Sequence, residues 1–369
     1  ITDILQEGNN VIGLVNYSEE NAGVLCQLTY YYADGSQQIV NNSGRDSVAW
    51  KAFNADSVYI GSDTASIGTS YYTAKKDNID MTRYPDGWKS TGYSNKSWTA
   101  VSKKNVLSAL TLQPSQTDNM KHYEVQPVSV TAVGNGSYLV DMGKEIVGSL
   151  KLNLTASRES VVLEYGEELQ ADGSVKYKMN TGNQYQEKWT LKSGAQSITG
   201  IGMKTFRYVL IKGCSTPLTT DNVKGLQLRQ AFDEDASSYT SSNSTLNDVY
   251  EFSKYTSKIS NQDVYVDTQS RERKPYEGDA LITAMTSYSY SASSTLAGYS
   301  AKYLLTHTTW PAEYSLYNIM MVYENYMYTG DKRELESNYQ MLKQKTLEQY
   351  YDPSMGLMAE VVDGSVSGQ

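Results

Sequence analysis

The stretch STLNDVYEFSKYT, residues 244–256, decides the fold, because the periodicity of the chain changes there. Leu246, Val249, Tyr250 and Ser253 recur at helix spacing, and Asn243 or Ser244 stands where an N-cap belongs. Upstream, the apolar residues alternate instead. In SLKLNLTAS (149–157), Leu150, Leu152 and Leu154 fall on one face, the period of a half-buried strand. VVLEYGEEL (161–169) leads to an Asp172-Gly173 turn, and TFRYVLIKG (205–213) is a strand closed by glycine. GVLCQLTYYYADGSQQIV (23–40) carries Asp34-Gly35 between two strand-like runs, a hairpin signal. YPDGWKSTGYSNKSWTAV (84–101) reads as a loop, with Trp88 and Trp98 near its ends. Strands at short intervals with turn residues between them suggest β-sandwiches.

Downstream, ALITAMTSYSY (280–290) and STLAGYSAKYLL (294–305) read as helices, and SLYNIMMVYENYMYTGDKRELESNYQMLKQ (315–344) is the clearest of them. Leu316, Ile319, Met320, Tyr323 and Met327 form a stripe that reads as a buried helix face. Gly330 fits the end of that helix, and Asp331 with Glu334 fits a capping box for the next. The order is β, β, then α.

The balance of charges limits the partners. A net charge of −9 and a pI near 5.0 oppose a phosphate backbone, so nucleic acid is not an expected partner. No apolar run approaches the ~18 residues that cross a bilayer, so no membrane span is expected. Cys26 and Cys214 match no metal spacing and read as small buried residues, with a disulfide as the alternative. With only His122 and His307, a histidine-based zinc site or a Ser-His-Asp triad has little material, and no metal or cofactor is expected. Chemistry here is carboxylate chemistry. The 32 tyrosines against 4 phenylalanines suit semi-exposed strands as well as sugar-binding surfaces. Low cysteine with abundant Ser, Thr, Asn and Tyr is compatible with an exported bacterial enzyme, extracellular or periplasmic.

VDTQSRERKPYEGDA, residues 266–280, concentrates Asp267, Arg271, Glu272, Arg273, Glu277 and Asp279 ahead of a helix. Cleaving a glycosidic bond needs two carboxyl groups, one donating a proton and one activating water or attacking carbon. This run could supply one side of such a site. Each residue also has an ordinary alternative. Asp279 is placed to face the positive end of the following helix. Glu272 between two arginines could be a surface ion pair worth ~0–1 kcal/mol. Flanking arginines favour an ionised carboxylate, while a general acid must hold its proton, and nearby Asp267 and Asp279 act in the opposite sense to the arginines.

The order of residues in DTQSRERKPYEGDA resembles the signature loop of the bacterial α-L-rhamnosidases, glycoside hydrolase family 78. ITDILQEGNNVIGL and DGWKSTGYSNKSWTAV are similar to parts of that family's N-terminal sandwich. GSYLVDMGKEIVGSLKLNL, VVLEYGEELQADGSV and FRYVLIKG are similar to its second β-domain, and TWPAEYSLYNIMMVYENYMYTGD to an early helix pair of its (α/α)6 barrel. The resemblance implies two β-sandwich domains, residues 1–120 and 121–232, followed by the first part of an (α/α)6 barrel, residues 233–369. It implies hydrolysis of terminal α-L-rhamnosyl groups with inversion, on rhamnose-containing glycosides or polysaccharides.

Carried over by position, Glu272 is the general acid. Asp267 and Asp279 bind sugar hydroxyls, Arg271 orients the carboxylates, and Tyr276 replaces a tryptophan that packs on the sugar. Trp310 and Glu313 are candidate pocket walls, with core packing and helix capping as their alternatives. Pro275 and Glu277 replace the commoner Gly and Thr, which bears on substrate preference. The family's general base is a glutamate in the second half of the barrel, so the chain reads as an internal fragment, expected to be inactive alone. A related glycosidase of other specificity, or a carbohydrate-binding protein without turnover, stays open on the residues. Oligomeric state is not legible.

Overall fold

A computed structural model describes residues 4–17, 23–41, 50–60, 69, 71–72, 76–102, 114–309 and 313–358. The chain divides into two compact units, Ile1–Tyr59 with Thr82–Gln113, and Ile60–Met81 with Pro114–Gln369.

In the first unit, β1 (Gln27–Tyr31) and β2 (Gln37–Asn41) form an antiparallel hairpin. Its tip is Asp34-Gly35. Gly35 takes φ 83°, and Asp34 Oδ1 accepts from the Ser36 amide at 2.8 Å and hydroxyl at 2.6 Å. β3 (Lys51–Ala52), in sequence before β4 (Ile79–Asp80) of the second unit, pairs with β5 (Thr99–Ala100). Trp98 gathers Phe53, Trp88 and Tyr93 around it at ring distances of 5.6, 6.3 and 5.7 Å. Two short ladders and this aromatic cluster are the ordered framework of the unit among the described residues.

The second unit is built on β6 (Lys121–Val125), β7 (Ser129–Gly134), β8 (Ser137–Ala156), β9 (Glu159–Gly166), β10 (Gln186–Leu191), β11 (Gly194–Thr199), β12 (Lys204–Lys212) and β13 (Val223–Arg229). With β4 they form one nine-stranded network, in the order β4-β10-β9-β12-β8-β13-β6, with β7 and β11 also on β8. The 20-residue β8 is the spine. Its first half pairs with β7 and β12, its second half with β11 and β13. Gly148, at φ 155°, marks the changeover, and a Cβ there would lie 1.8 Å from the Leu226 carbonyl oxygen. Leu150, Leu152 and Leu154 are buried as their alternation requires, each contributing ~1.5–3 kcal/mol. Trp189, Tyr165 and Phe206 fill the centre, the last two edge to face at 5.0 Å.

The helices are α1 (Ser244–Ile259), α2 (Glu277–Tyr290), α3 (Thr295–Thr306), α4 (Tyr314–Thr329) and α5 (Arg333–Gln344), followed by a β14 (Tyr351–Asp352) and β15 (Leu357–Met358) hairpin. Asn243 is the N-cap of α1, its side chain accepting from the amides of Thr245 and Leu246. α2, α3 and α4 share a core of Ala280, Ala284, Leu296, Ala297, Leu304 and Met321, whose small members let the helices approach closely.

Two expectations are corrected here. The stripe on α4 turns outward, with Leu316, Met320, Tyr323 and Met327 exposed and only Ile319 packed against the core. Ser315, Asn318, Met321, Val322 and Asn325 face inward instead. The helix is apolar or small on both sides, and its buried amides are bonded in part, the Asn318 Oδ1 atom having no partner among the described residues. Asn318 Nδ2 donates to the Ala301 carbonyl at 3.0 Å, and Asn325 Oδ1 accepts from the Tyr288 hydroxyl at 3.1 Å. The capping box also does not form. Gly330 ends α4 in the left-handed region, but Lys332 is the N-cap of α5 and makes no side-chain cap. Asp331 instead accepts from the Arg333 amide at 3.0 Å and pairs with its guanidinium, while Glu334 accepts from Asn338.

The sheet meets the helices through Tyr255 of α1. Its hydroxyl donates to the Glu145 carbonyl of β8 at 2.6 Å, and Lys144 Nζ lies 4.0 Å over its ring.

Candidate active site

The run 266–276 leaves the α1 side of the bundle and re-enters at the start of α2. Asp267 closes it into a loop. Its amide donates to the Lys274 carbonyl at 3.0 Å, and its Oδ1 accepts from the Lys274 amide at 3.1 Å. Inside, Thr268 Oγ1 accepts from the amides of Arg271 and Glu272 at 3.1 and 3.4 Å. Arg273 then reverses direction with φ 54°.

Three consecutive carbonyls of this loop are held by side chains from far upstream. Thr205 Oγ1 donates to Gln269 at 2.9 Å. Asn183 Nδ2, on a fully buried side chain, donates to Ser270 at 2.5 Å, and the Tyr72 hydroxyl reaches the same oxygen at 3.3 Å. Thr69 Oγ1 donates to Arg271 at 2.6 Å. Arg273 fastens the loop in the other direction. Its guanidinium donates to the Tyr185 hydroxyl at 2.9 Å and the Met203 carbonyl at 3.0 Å, and it lies 4.3 Å over the Tyr72 ring. The β-network therefore shapes the loop, and the loop presents the carboxylates.

Glu272 is 8% exposed. Arg271 Nη2 lies 2.7 Å from its Oε1, and the Tyr276 hydroxyl donates to its Oε2 at 2.5 Å. The same Arg271 nitrogen is 3.9 Å from Asp267 Oδ2. Of the two flanking arginines, only Arg271 serves the carboxylates. The Tyr276 phenol is pushed up by burial, then by its bond to Glu272 and the charge of Asp267. Asp279 sits in the first turn of α2, and its carboxyl is pushed above the ordinary aspartate value. Burial is the main cause, reinforced by Asp267 and Glu272 and offset in part by its own backbone amide and by Arg271. The structure thus brings Asp267, Arg271, Glu272, Tyr276 and Asp279 into one electrostatic cluster.

Glu313 is exposed at the start of α4, and both it and Asp279 act on Tyr314. Trp310 lies outside the described residues. Glu277 is fully buried and accepts from the Thr309 amide at 3.2 Å and from its hydroxyl, so it ties α2 to the segment before α4. Tyr314 was not singled out from sequence. It packs so closely on α2 that a Cβ on Gly278 would lie 2.9 Å from its ring, which accounts for glycine beside Asp279. Thr69, Tyr71, Tyr72 and Asn183 also carried no signal in the sequence. Among the described residues, no group of three or more His, Cys, Asp or Glu side chains is arranged to hold a metal ion.

A cluster of three carboxyl groups with one guanidinium and a phenol can transfer a proton and bind hydroxyls. The chain is also similar to known proteins. Residues 131–229 match the family described as the bacterial alpha-L-rhamnosidase concanavalin-like domain, and residues 234–360 the bacterial alpha-L-rhamnosidase 6 hairpin glycosidase domain. An alpha-L-rhamnosidase of Streptomyces avermitilis is 26% identical over 211 residues, 56% of this chain and 19% of that protein. One of Formosa agariphila is 25% identical over 324 residues, 76% of this chain and 31% of that protein. The chain thus spans a third or less of the length of these relatives. Among solved structures, the Streptomyces avermitilis alpha-L-rhamnosidase complexed with L-rhamnose superposes with a TM-score of 0.71 at 20% identity, covering 89% of this chain and 33% of that one. The alpha-L-rhamnosidase from Dictyoglumus thermophilum gives 0.71 at 18% identity, covering 92% and 41%.

Proposed function

This chain belongs to the bacterial α-L-rhamnosidase family, and we propose that its 266–280 loop is the acid side of a site that removes terminal α-L-rhamnose with inversion. The observation that carries the reading is the setting of Glu272, nearly enclosed, with one oxygen on Arg271 and the other on Tyr276. In this reading Glu272 carries a proton and gives it to the glycosidic oxygen as the bond to the anomeric carbon breaks. Arg271 and Tyr276 hold the carboxyl in one orientation, and both can stabilise the carboxylate left after transfer. Asp267 and Asp279 accept hydrogen bonds from the sugar hydroxyls.

Inversion requires a second carboxylate that takes a proton from water on the opposite face of the ring, roughly 6.5–9.5 Å from the acid. Asp267 and Asp279 share the acid's own cluster, so the base is assigned to residues outside the loop. The substrate is a glycoside with an unsubstituted α-L-rhamnosyl end.

Glu272→Gln tests the acid directly. In the whole protein it should retain L-rhamnose binding by calorimetry and lose turnover by about 10²–10⁴-fold. The loss should be larger for a sugar leaving group, which needs the proton, than for a nitrophenolate, which leaves without it. Near-normal hydrolysis of both substrates by the variant would place the acid elsewhere.

A further inference from the structure

Two consecutive tyrosines, Tyr71 and Tyr72, lie far upstream of the loop, with Tyr72 and Ser270 198 positions apart, yet both meet it. Tyr72 is the anchor. Its hydroxyl bonds to the Ser270 carbonyl and Asn183, and its ring underlies Arg273. Tyr71 is 47% exposed. Its ring centroid lies 5.9 Å from Arg271 Cζ, and its phenol adds to the field at the Tyr276 phenol. Arg271 and Tyr276 are the two groups that hold the Glu272 carboxyl. Tyr71 therefore borders both partners of the acid on their solvent side. Its backbone is tied to the loop. Thr69 Oγ1 accepts from the Tyr71 amide at 3.2 Å while donating to Arg271, and the Thr69 amide donates to the Tyr72 carbonyl at 3.0 Å.

An exposed aromatic face, on a backbone tied at the edge of a polar cluster, can receive a flat ligand surface at a reduced ordering cost. The ring attached to the oxygen that Glu272 protonates must lie on the accessible side of that carboxyl. We propose that Tyr71 is the wall of the leaving-group side of the site and favours glycosides whose leaving group presents a flat face. That face is an aromatic ring or the apolar side of a pyranose. This rests on the rhamnosidase reading above. In this proposal Tyr71 meets the leaving group alone, so it sets preference rather than chemistry.

The experiment compares wild type, Tyr71→Ala, Tyr71→Phe and Tyr71→Trp in the whole protein on three rhamnosides, with phenolic, disaccharide and methyl leaving groups. L-rhamnose binding is followed in parallel. Tyr71→Ala should lower kcat/KM, chiefly through KM, about three- to tenfold on at least one ring-bearing substrate. The methyl rhamnoside and free L-rhamnose should be unaffected, and the Phe and Trp variants should restore wild-type values. A loss confined to the phenolic substrate identifies an aromatic partner, and one confined to the disaccharide identifies a sugar. Equal losses on methyl and ring-bearing substrates, or no loss on any, would overturn the assignment of Tyr71 while leaving the rhamnosidase reading intact. A wild-type protein that neither cleaves the rhamnosides nor binds L-rhamnose would overturn both.

Discussion

Arg273 carries a left-handed backbone at φ 54°, which costs a residue with a Cβ roughly 1–2 kcal/mol. Its guanidinium offsets that cost through the Tyr185 and Met203 hydrogen bonds and the Tyr72 ring. Two substitutions separate the contributions. Arg273→Ala keeps the strain and loses the contacts, while Arg273→Gly loses the contacts and relieves the strain. Urea unfolding should rank wild type above Arg273→Gly above Arg273→Ala, with the two variants about 1 kcal/mol apart. Equal stability of the two variants would mean the backbone is not strained there. At this scale the sequence was legible in part. The ion pair of Arg271 with Glu272 was one reading open on the residues, and the company of Asp267, Tyr276 and Asp279 was what the family resemblance implied. Arg273 could not be told from Arg271, because what separates them is the identity of partners at 72, 185 and 203.

Between elements, the junction of β8 and α1 holds a carboxyl group out of its usual range. Burial and then the neighbouring Glu167 push Glu145 up to about 7, from an ordinary 4.5. The folded chain then keeps a proton that the unfolded chain has released. The stability from that proton is fully present below about pH 4.5 and is lost as the pH rises through about 7. Thermal midpoints of wild type should fall across that window relative to Glu145→Gln, which cannot titrate. Parallel curves for the two proteins would show that Glu145 is solvated normally. Strands were the legible elements, since the alternation at 150–154 has one solution against a core. Helix positions were legible too, but not their faces. On α4 the apolar stripe has the right period and the wrong direction, because one hydrogen bond each at Asn318 and Asn325 helps make the polar side buriable.

Across the molecule, segment 60–81 belongs to the second unit by more than the parallel pairing of β4 with β10. Asp77 Oδ2 accepts from the amides of Ile201 and Gly202, and Trp189 Nε1 donates to the Asp77 carbonyl at 2.8 Å. Beneath it, Lys204 Nζ lies 2.5 Å from Glu187 Oε1 and 3.5 Å from Asp77 Oδ2, with Lys204 and Glu187 fully buried. Burial pulls the Lys204 ammonium down, and the two carboxylates more than reverse that, so its pKa is raised. Lys204→Met leaves Glu187 and Asp77 without their countercharge and should cost about 3–5 kcal/mol in chemical denaturation. Lys204→Met with Glu187→Gln should recover part of that loss. A single variant as stable as wild type would show that the triad contributes no net stability.

The partners that grip carbonyls 269, 270 and 271 lie 64, 87 and 202 residues upstream. The entropy of closing such loops grows slowly, and stretching the span from 64 to 202 residues adds only about 1 kcal/mol. Direction matters more than distance. Chains are made from the amino end, and their parts fold as they emerge. Every gripping side chain is therefore synthesised before the loop it grips. The mould exists first, and the loop takes shape by being pressed into it.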